Sequence, residues 1–473
     1  MSAISDQIAY HRLSARELSA GLTAGRWSSE ELTCYFLNRI QAINPSLHAI
    51  HSLNDKARDE AKAIDARRAA GETLGPLAGL PMSLKDAFAV KGLRSTYGTQ
   101  LFSRNRPRQD CKIVSTLREA GLVLLGRSAI PTASFDWNCR NQVFAECLNP
   151  HDSARTPGGS SGGAAAALAA GLTPLELGSD VAGSIRYPAH CCGVYGLRST
   201  DGWLPMSDIG PDPKRGFSHL AVCGPMANHL DDLTLLLELF GKAFPDPRLK
   251  PFTPTGPSRI AYSWGVQGLD PEPETRALMQ RWLEGLNQAG AKISEDLPAL
   301  DFASLDNDWC LLVGYELVSN LPPALPRALG RRLLDAMVLK RLGPGWMRPG
   351  LLDGMRIKQP EYLATLARYQ AAQDAADQFF SRYDAWVLPT SPSPALRLSE
   401  CGTLLKTHLG SVPYTEYIGR PLCSTAMLGT PALALPIGKT LSGLPVGLQI
   451  HGPRFGDAAL LARMQQLIRA AGL

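Results

Sequence analysis

Two serines set in glycine-rich turns and one lysine at the end of an apolar run are the residues of this sequence best suited to covalent chemistry. The first serine lies in Pro157-Gly158-Gly159-Ser160-Ser161-Gly162-Gly163, followed directly by the alanine-rich run 164–170. Glycines on both sides let the backbone take positive φ and approach another group closely. The second closes the turn Gly178-Ser179-Asp180-Val181-Ala182-Gly183-Ser184-Ile185-Arg186, behind a strand-like run at 172–177. A small-residue turn of this kind can aim several backbone N–H groups at one point, as a developing oxyanion requires. A turn that merely packs a strand against a helix would have the same composition. The lysine stands in Ser83-Leu84-Lys85-Asp86, after the apolar run 80–84. A serine hydroxyl is a poor nucleophile until a base takes its proton, and an amine desolvated at a strand end loses enough basicity to serve as that base.

Two other chemistries compete for the first glycine loop. A phosphate cradle at a helix N-terminus would use such glycines, but the Lys-Ser/Thr that closes a P-loop is missing. Gly158-x-Ser160-x-Gly162 also fits the nucleophile elbow of α/β-hydrolases, which would make Ser160 the nucleophile and requires a strand just before it. The preceding Asn149-Pro150-His151-Asp152-Ser153-Ala154-Arg155 is polar and turn-like instead.

The scaffold that must hold these groups is large. Its 473 residues are 45% hydrophobic and 19% charged, ordinary for a soluble globular protein. The net charge of +5 comes from 48 basic and 43 acidic side chains without a long run of either sign, so nucleic acid is not an expected partner. Arg327, Arg331, Arg332, Lys340 and Arg341 cluster at helical spacing and read as a solvated face. Ten cysteines at irregular positions, with no CxxC, indicate neither a zinc site nor a disulfide framework. The opening Met1-Ser2-Ala3-Ile4-Ser5-Asp6 lacks a basic region followed by an apolar core, and no run reaches the roughly 18 apolar residues of a membrane helix, so a soluble cytoplasmic protein with no membrane partner is expected.

Residues 28–43 open with a capping-box pattern, Ser28-Ser29-Glu30-Glu31, and carry Leu32, Tyr35, Phe36, Ile40 and Ile43 on one helical face. Strand-like runs at 80–84, 122–125 and 172–177 alternate with helical stretches at 112–120 and 163–170, which argues for an α/β architecture. The proline-rich stretch 244–258 predicts an extended connector. From 300 to 380 the pattern turns helical and irregular, with Trp309, Trp346 and Gly343-Pro344-Gly345, before the extended Trp386-Val387-Leu388.

The lysine and two serine segments, in this order and at this spacing, resemble the amidase signature family, whose members share a Ser, cis-Ser, Lys triad. Further matches are Gly79-Leu80-Pro81, residues 189–196, Gly224-Pro225-Met226-Ala227 and Gly443-Leu444-Pro445-Val446-Gly447-Leu448-Gln449. By position, the resemblance implies Ser184 as acyl-forming nucleophile, Ser160 as the bridging serine with a cis peptide bond and Lys85 as base. It places the oxyanion hole on the N–H groups of Val181, Ala182, Gly183 and Ser184. Ser179, Asp180 and Arg186 would support this network, Asp180 pairing with Arg186, although Arg186 could instead grip a substrate carboxylate. The implied fold is α/β, a central mixed β-sheet covered by α-helices on both faces. One domain over 1–473 would comprise an N-terminal helical layer (1–70), a signature core (75–243) and a variable helical insertion (300–380) over the active site.

Two departures stand out. Ala182 replaces a glycine common in the family, adding a methyl beside the turn while keeping its N–H, and Leu197-Arg198-Ser199-Thr200 replaces a Lys-Pro-Thr-like stretch. Ser134, Phe135, Asp136 and Trp137 precede the glycine loop where similar proteins line the acyl pocket, and Trp309, Tyr315 and Trp346 could roof it. The implied function is hydrolysis of a small carboxamide without metal or organic cofactor, by a monomer or a homodimer. Acyl transfer or amidotransfer through the same acyl-enzyme is the alternative, and a catalytically dead scaffold is the non-enzyme one. The residues leading into Ser160 differ from those of the tRNA amidotransferase subunit, which makes that version the less expected.

Overall fold

The computed structural model describes residues 8–206, 209–210, 219–251, 256–321 and 325–473. Residues 1–7, in which no targeting signal is expected, and 252–255 of the connector lie outside the described residues.

Helix α1 (Ala15–Thr23) starts on a complete capping box between Ser14 and Glu17. Helix α2 (Ser29–Ile43) starts at Ser28, whose side chain accepts the Glu31 N–H, and buries Leu32, Phe36 and Ile40. Its expected capping box is only half formed, because the Glu31 carboxylate accepts from Tyr10 Oη at 2.5 Å and so ties the helix to the preceding segment. Strand β1 (Ile50–Leu53), helix α3 (Ala57–Ala69), strand β2 (Pro81–Lys85), helix α4 (Lys112–Glu119) and strand β3 (Val123–Ser128) follow. The three strands form a small sheet in the order β1-β3-β2, with β2 parallel and β1 antiparallel to β3. Every residue of β2 and β3 is buried, including the polar Ser83, Lys85, Arg127 and Ser128. Alternation along β2 sends Ser83 and Lys85 to one face and Met82 and Leu84 to the other.

Helix α5 (Gly162–Ala169) is apolar all round and buried, as a core helix should be. Its start rests on backbone: the Gly163 N–H donates to the Ala129 carbonyl at 3.0 Å, and a Cβ at Gly163 would come within 2.2 Å of Ala129 N. Strand β4 (Leu175–Asp180), helix α6 (Arg186–Cys192), strands β5 (Tyr195–Arg198) and β6 (Val222–Ala227), helix α7 (Leu233–Ala243), strand β7 (Arg259–Tyr262), helix α8 (Pro273–Gln288) and strand β8 (Lys292–Glu295) come next. Four helices, α9 (Phe302–Ser319), α10 (Arg327–Met337), α11 (Met347–Gly354) and α12 (Gln359–Phe380), fill the stretch expected to be helical. The chain ends with β9 (Ala385–Pro389), the hairpin β10 (Leu404–Thr407) and β11 (Gly410–Pro413), α13 (Tyr414–Ala426), β12 (Ala432–Lys439), β13 (Pro445–His451) and α14 (Asp457–Ala471).

Eight strands form the central mixed sheet in the order β4-β6-β5-β12-β13-β9-β7-β8. The last three, β9, β7 and β8, run parallel, and the other neighbours are antiparallel. Helices flank this sheet, and the α/β class expected from the sequence is the observed one. Lys85 does not sit on the central sheet, however. Its strand packs against β4 as part of the three-stranded sheet, and the Ser83 N–H is taken by Thr173 Oγ1 at 2.9 Å. Lys85 and the second serine turn are therefore brought together by packing between two sheets. Among the described residues no helix is long and apolar enough to cross a membrane.

Candidate active site

At the end of β2 the Lys85 side chain is wholly buried, with Nζ 2.7 Å from Ser160 Oγ, 2.9 Å from Ser179 Oγ and 3.1 Å from the Ser179 carbonyl. Burial lowers its pKa to about 7, outweighing the opposing pull of Asp180. A neutral amine has two N–H donors and one lone pair. Donation to the two Ser179 oxygens and acceptance of the Ser160 O–H would use all three contacts.

Ser160 lies just before α5, and its peptide bond with Gly159 is cis. The loop is wedged between two other backbones. A Cβ at Gly158 would meet Pro188 Cα at 2.6 Å, and one at Gly159 would meet the Asp136 carbonyl at 2.4 Å, so only glycine fits at either position. No strand runs directly into Ser160, the nearest before it being β3, which ends at Ser128, and this removes the structural premise of the nucleophile elbow.

The turn carrying Ser184 is built around Asp180 at the end of β4. Both carboxylate oxygens are engaged: Oδ1 accepts the Gly183 N–H at 2.8 Å and Arg186 Nη2 at 3.1 Å, while Oδ2 accepts the Ile185 N–H and Arg186 Nε, each at 3.1 Å. Burial alone would raise the Asp180 pKa, but Arg186, with Arg198 behind it, holds the carboxyl well below the usual carboxylate range. The Gly183 N–H, expected in the oxyanion hole, donates to Asp180 in this structure. Among the described residues the N–H groups of Val181, Ala182 and Ser184 have no protein acceptor. The turn is also held by its carbonyls, that of Ala182 accepting Trp137 Nε1 at 2.7 Å and that of Val181 accepting Trp309 Nε1 at 3.1 Å.

Arg186 is as buried as its partner. Beyond Asp180 it donates to Thr425 Oγ1 (2.8 Å), Gln449 Oε1 (2.7 Å) and the Leu422 carbonyl (3.1 Å), so its donors are committed within the protein rather than to a substrate carboxylate. The departure at 197–200 joins the same assembly: Arg198 Nε stands 3.6 Å from Asp180 Oδ1, and Thr200 donates through N and Oγ1 to Asp457. Removing one partner of a buried ion pair leaves the other charged and uncompensated, at a cost of about 3–5 kcal/mol. Asp180→Asn is expected to destabilise the fold by about that amount, read as a lower midpoint in urea with unchanged slope. A loss under about 1 kcal/mol would mean that this pair does not hold the turn.

Ser160, Ser179 and Ser184 line one cavity of about 100 Å³. Its walls include all four expected substrate-binding residues, Ser134, Phe135, Asp136 and Trp137. Trp309 lines it as well, whereas Tyr315 stacks on Tyr362 at 4.1 Å and Trp346 contributes nothing to the lining. Sequence reasoning missed Leu317, Leu342 and Met347, which reach the cavity from the helical stretch. They lie among many similar apolar residues, and no local signal separates them. It also missed Glu176, buried on β4 with its carboxylate 2.5 Å from Ser83 Oγ. Burial raises its pKa to about 7. Among the described residues no group of three His, Cys, Asp or Glu side chains is placed to hold a metal ion.

A family model described as Amidase matches residues 31–461. The chain is 34% identical to a glutamyl-tRNA(Gln) amidotransferase subunit from Moorella thermoacetica, over 95% of this chain and 94% of that one. The amidotransferase subunit, expected to be a remoter likeness, is therefore similar along nearly the whole chain. Among solved structures, an amidase superposes with a TM-score of 0.78 at 27% identity, covering 97% of this chain and 99% of that one. A bacterial aryl acylamidase of the amidase signature family reaches 0.82 at 24% identity, covering 97% and 96%, a likeness of fold alone.

Proposed function

Since this chain belongs to the amidase family, the amidase signature enzymes, we propose that it cleaves a carboxamide C–N bond through an acyl-Ser184 intermediate, with Ser160 relaying the proton to Lys85. The observation that carries this reading is the 2.7 Å contact between a fully buried, weakly basic Lys85 and Ser160, which shares one cavity with Ser184.

In the first half-reaction Ser184 Oγ attacks the carbonyl carbon. Its proton passes to Ser160, whose own proton moves to neutral Lys85. Charge develops on the carbonyl oxygen, where the N–H groups of Val181, Ala182 and Ser184 are the available donors. Collapse breaks the C–N bond, and the proton returns from Lys85 through Ser160 to the departing nitrogen. Water then attacks the ester, its proton passing through Ser160 to Lys85, and collapse breaks the C–O bond to release the acid as that proton returns through Ser160 to Ser184 Oγ. Amide and water become acid and amine, and Lys85 ends neutral. Helices α9 and α11 would act as the cover of this site, through Trp309 and Met347.

A second reading is favoured by the relatives: the acyl-enzyme step could release ammonia for transfer, in keeping with their description as amidotransferases. Hydrolysis is preferred here because the described residues lining the cavity include no lysine, arginine or histidine to pair with the α-carboxylate of glutamine. The volume, below the roughly 300–1,000 Å³ of drug-sized pockets, suits a compact substrate.

Treatment with a fluorophosphonate is expected to give a single adduct, on the peptide containing Ser184. Turnover of small amides with hydroxylamine present should divert acyl groups to hydroxamate. An adduct on Ser160 would overturn the nucleophile assignment. Ammonia release from glutamine but from no simple amide would move the reading to amidotransfer.

A further inference from the structure

The residues lining the cavity are apolar except for the catalytic serines, Ser179, Ser134 and one acidic residue, Asp136. Asp136 is not spent on a cation. Its Oδ1 accepts the Asn138 N–H at 3.2 Å and Tyr414 Oη at 3.0 Å, and Oδ2 has no side-chain partner among the described residues. These neutral donors orient the carboxyl group, and Arg140, which favours its ionised form from a distance, makes no ion pair with it among the described residues. This contrasts with Asp180, Asp308 and Asp335, each of which lies within 3.1 Å of an arginine. Phe135, Trp137 and Trp309 line the same space, and aromatic rings beside a carboxylate make a favourable environment for a positive charge.

From this geometry we infer that the enzyme selects amides carrying a protonated amino group remote from the scissile bond, with Asp136 as its counter-ion and the aromatic lining holding the intervening carbons. The inference rests on the amidase reading of the site but is tested apart from it. An isolated carboxylate in an apolar pocket discriminates strongly, since a neutral ligand leaves it desolvated without compensation and an anionic one adds repulsion. A cationic ligand turns the same group into an attraction.

The experiment measures binding, by calorimetry, to Ser184→Ala protein, where no turnover intervenes. The ligands are short alkanamides bearing an ω-amino, ω-hydroxy or ω-carboxylate group, from the glycinamide length upward, and N-alkyl acetamides with the same three groups on the amine side. In at least one series the amino compound is expected to bind about tenfold or more tighter than its hydroxy counterpart, with the carboxylate weakest. Asp136→Asn in the same background should bring the amino and hydroxy compounds to within about twofold, keeping the Tyr414 contact through the amide oxygen. Equal or weaker binding of the amino compounds in both series would overturn the inference even if Asp136→Asn did not fold, and so would a preference that survives the substitution. The labelling of Ser184 is independent of this outcome, so failure of the specificity and failure of the amidase reading are distinguishable.

Discussion

Replacing Ser184 with alanine is expected to lower kcat by roughly 10⁶-fold, the scale on which removal of a serine nucleophile acts when the remaining machinery cannot work without it. The variant should bind substrate nearly unchanged and lose its fluorophosphonate adduct entirely. Ser184 contributes little to the fold: its hydroxyl faces the cavity, while its carbonyl, which accepts the Ser161 N–H at 3.0 Å, is untouched by the substitution. Ser160→Ala should behave differently, slowing labelling without moving it, because that change removes the relay and leaves the nucleophile in place. Steady-state kinetics and peptide mass spectrometry on the two variants test this directly. Residual amide turnover in Ser184→Ala within about a hundredfold of wild type would sink the assignment.

Lys85→Ala is expected to reduce kcat/KM by about 10²–10⁴-fold, the usual contribution of a positioned general base. Its pH profile should carry the stronger evidence. Burial disfavours the ammonium, so the amine gives up its proton near pH 7, far below an exposed lysine. Only the neutral form can accept a proton. Wild-type kcat/KM should therefore rise about tenfold per pH unit below pH 7 and level off above it. In the variant this acid limb should vanish, leaving a profile governed by hydroxide. An acid limb with the same midpoint in Lys85→Ala would assign it to another group, with Glu176, close by and raised to about 7, the first to examine.

The groups proposed to perform the chemistry were legible because each carries a local signature: a lysine closing an apolar run, a serine between glycines, a serine closing a small-residue turn. Their supports were legible only in part. Pairing of Asp180 with Arg186 follows from their proximity along the chain, but Thr425 and Gln449 lie hundreds of residues downstream, and nothing near Arg186 announces them. Glycine content marked the turn at 181–184 as a source of N–H donors without revealing that Gly183 is already engaged. Trp309 and Tyr315 looked equivalent as roofing aromatics. One faces the cavity and the other stacks on Tyr362, since the helix they share presents them in different directions. The capping box at Ser28 failed for a similar reason: Tyr10 competes for Glu31, and tertiary contact overrode a local pattern. For the fold, alternation of strands and helices gave the α/β class, but the assignment of β2 to a separate sheet depends on pairing partners that hydrophobic periodicity does not encode.

The long reach of Arg186 has a consequence for how such a chain is made. Lys85, Ser160 and Ser184 all emerge early from the ribosome, yet the guanidinium that fixes their turn waits for Leu422, Thr425 and Gln449, and Val181 waits for Trp309. During synthesis the nascent polypeptide holds all three proposed catalytic groups before it holds the partners that clamp the Ser184 turn. Under the proposed mechanism the site is complete only once α13, which carries Leu422 and Thr425, and β13, which carries Gln449, have docked.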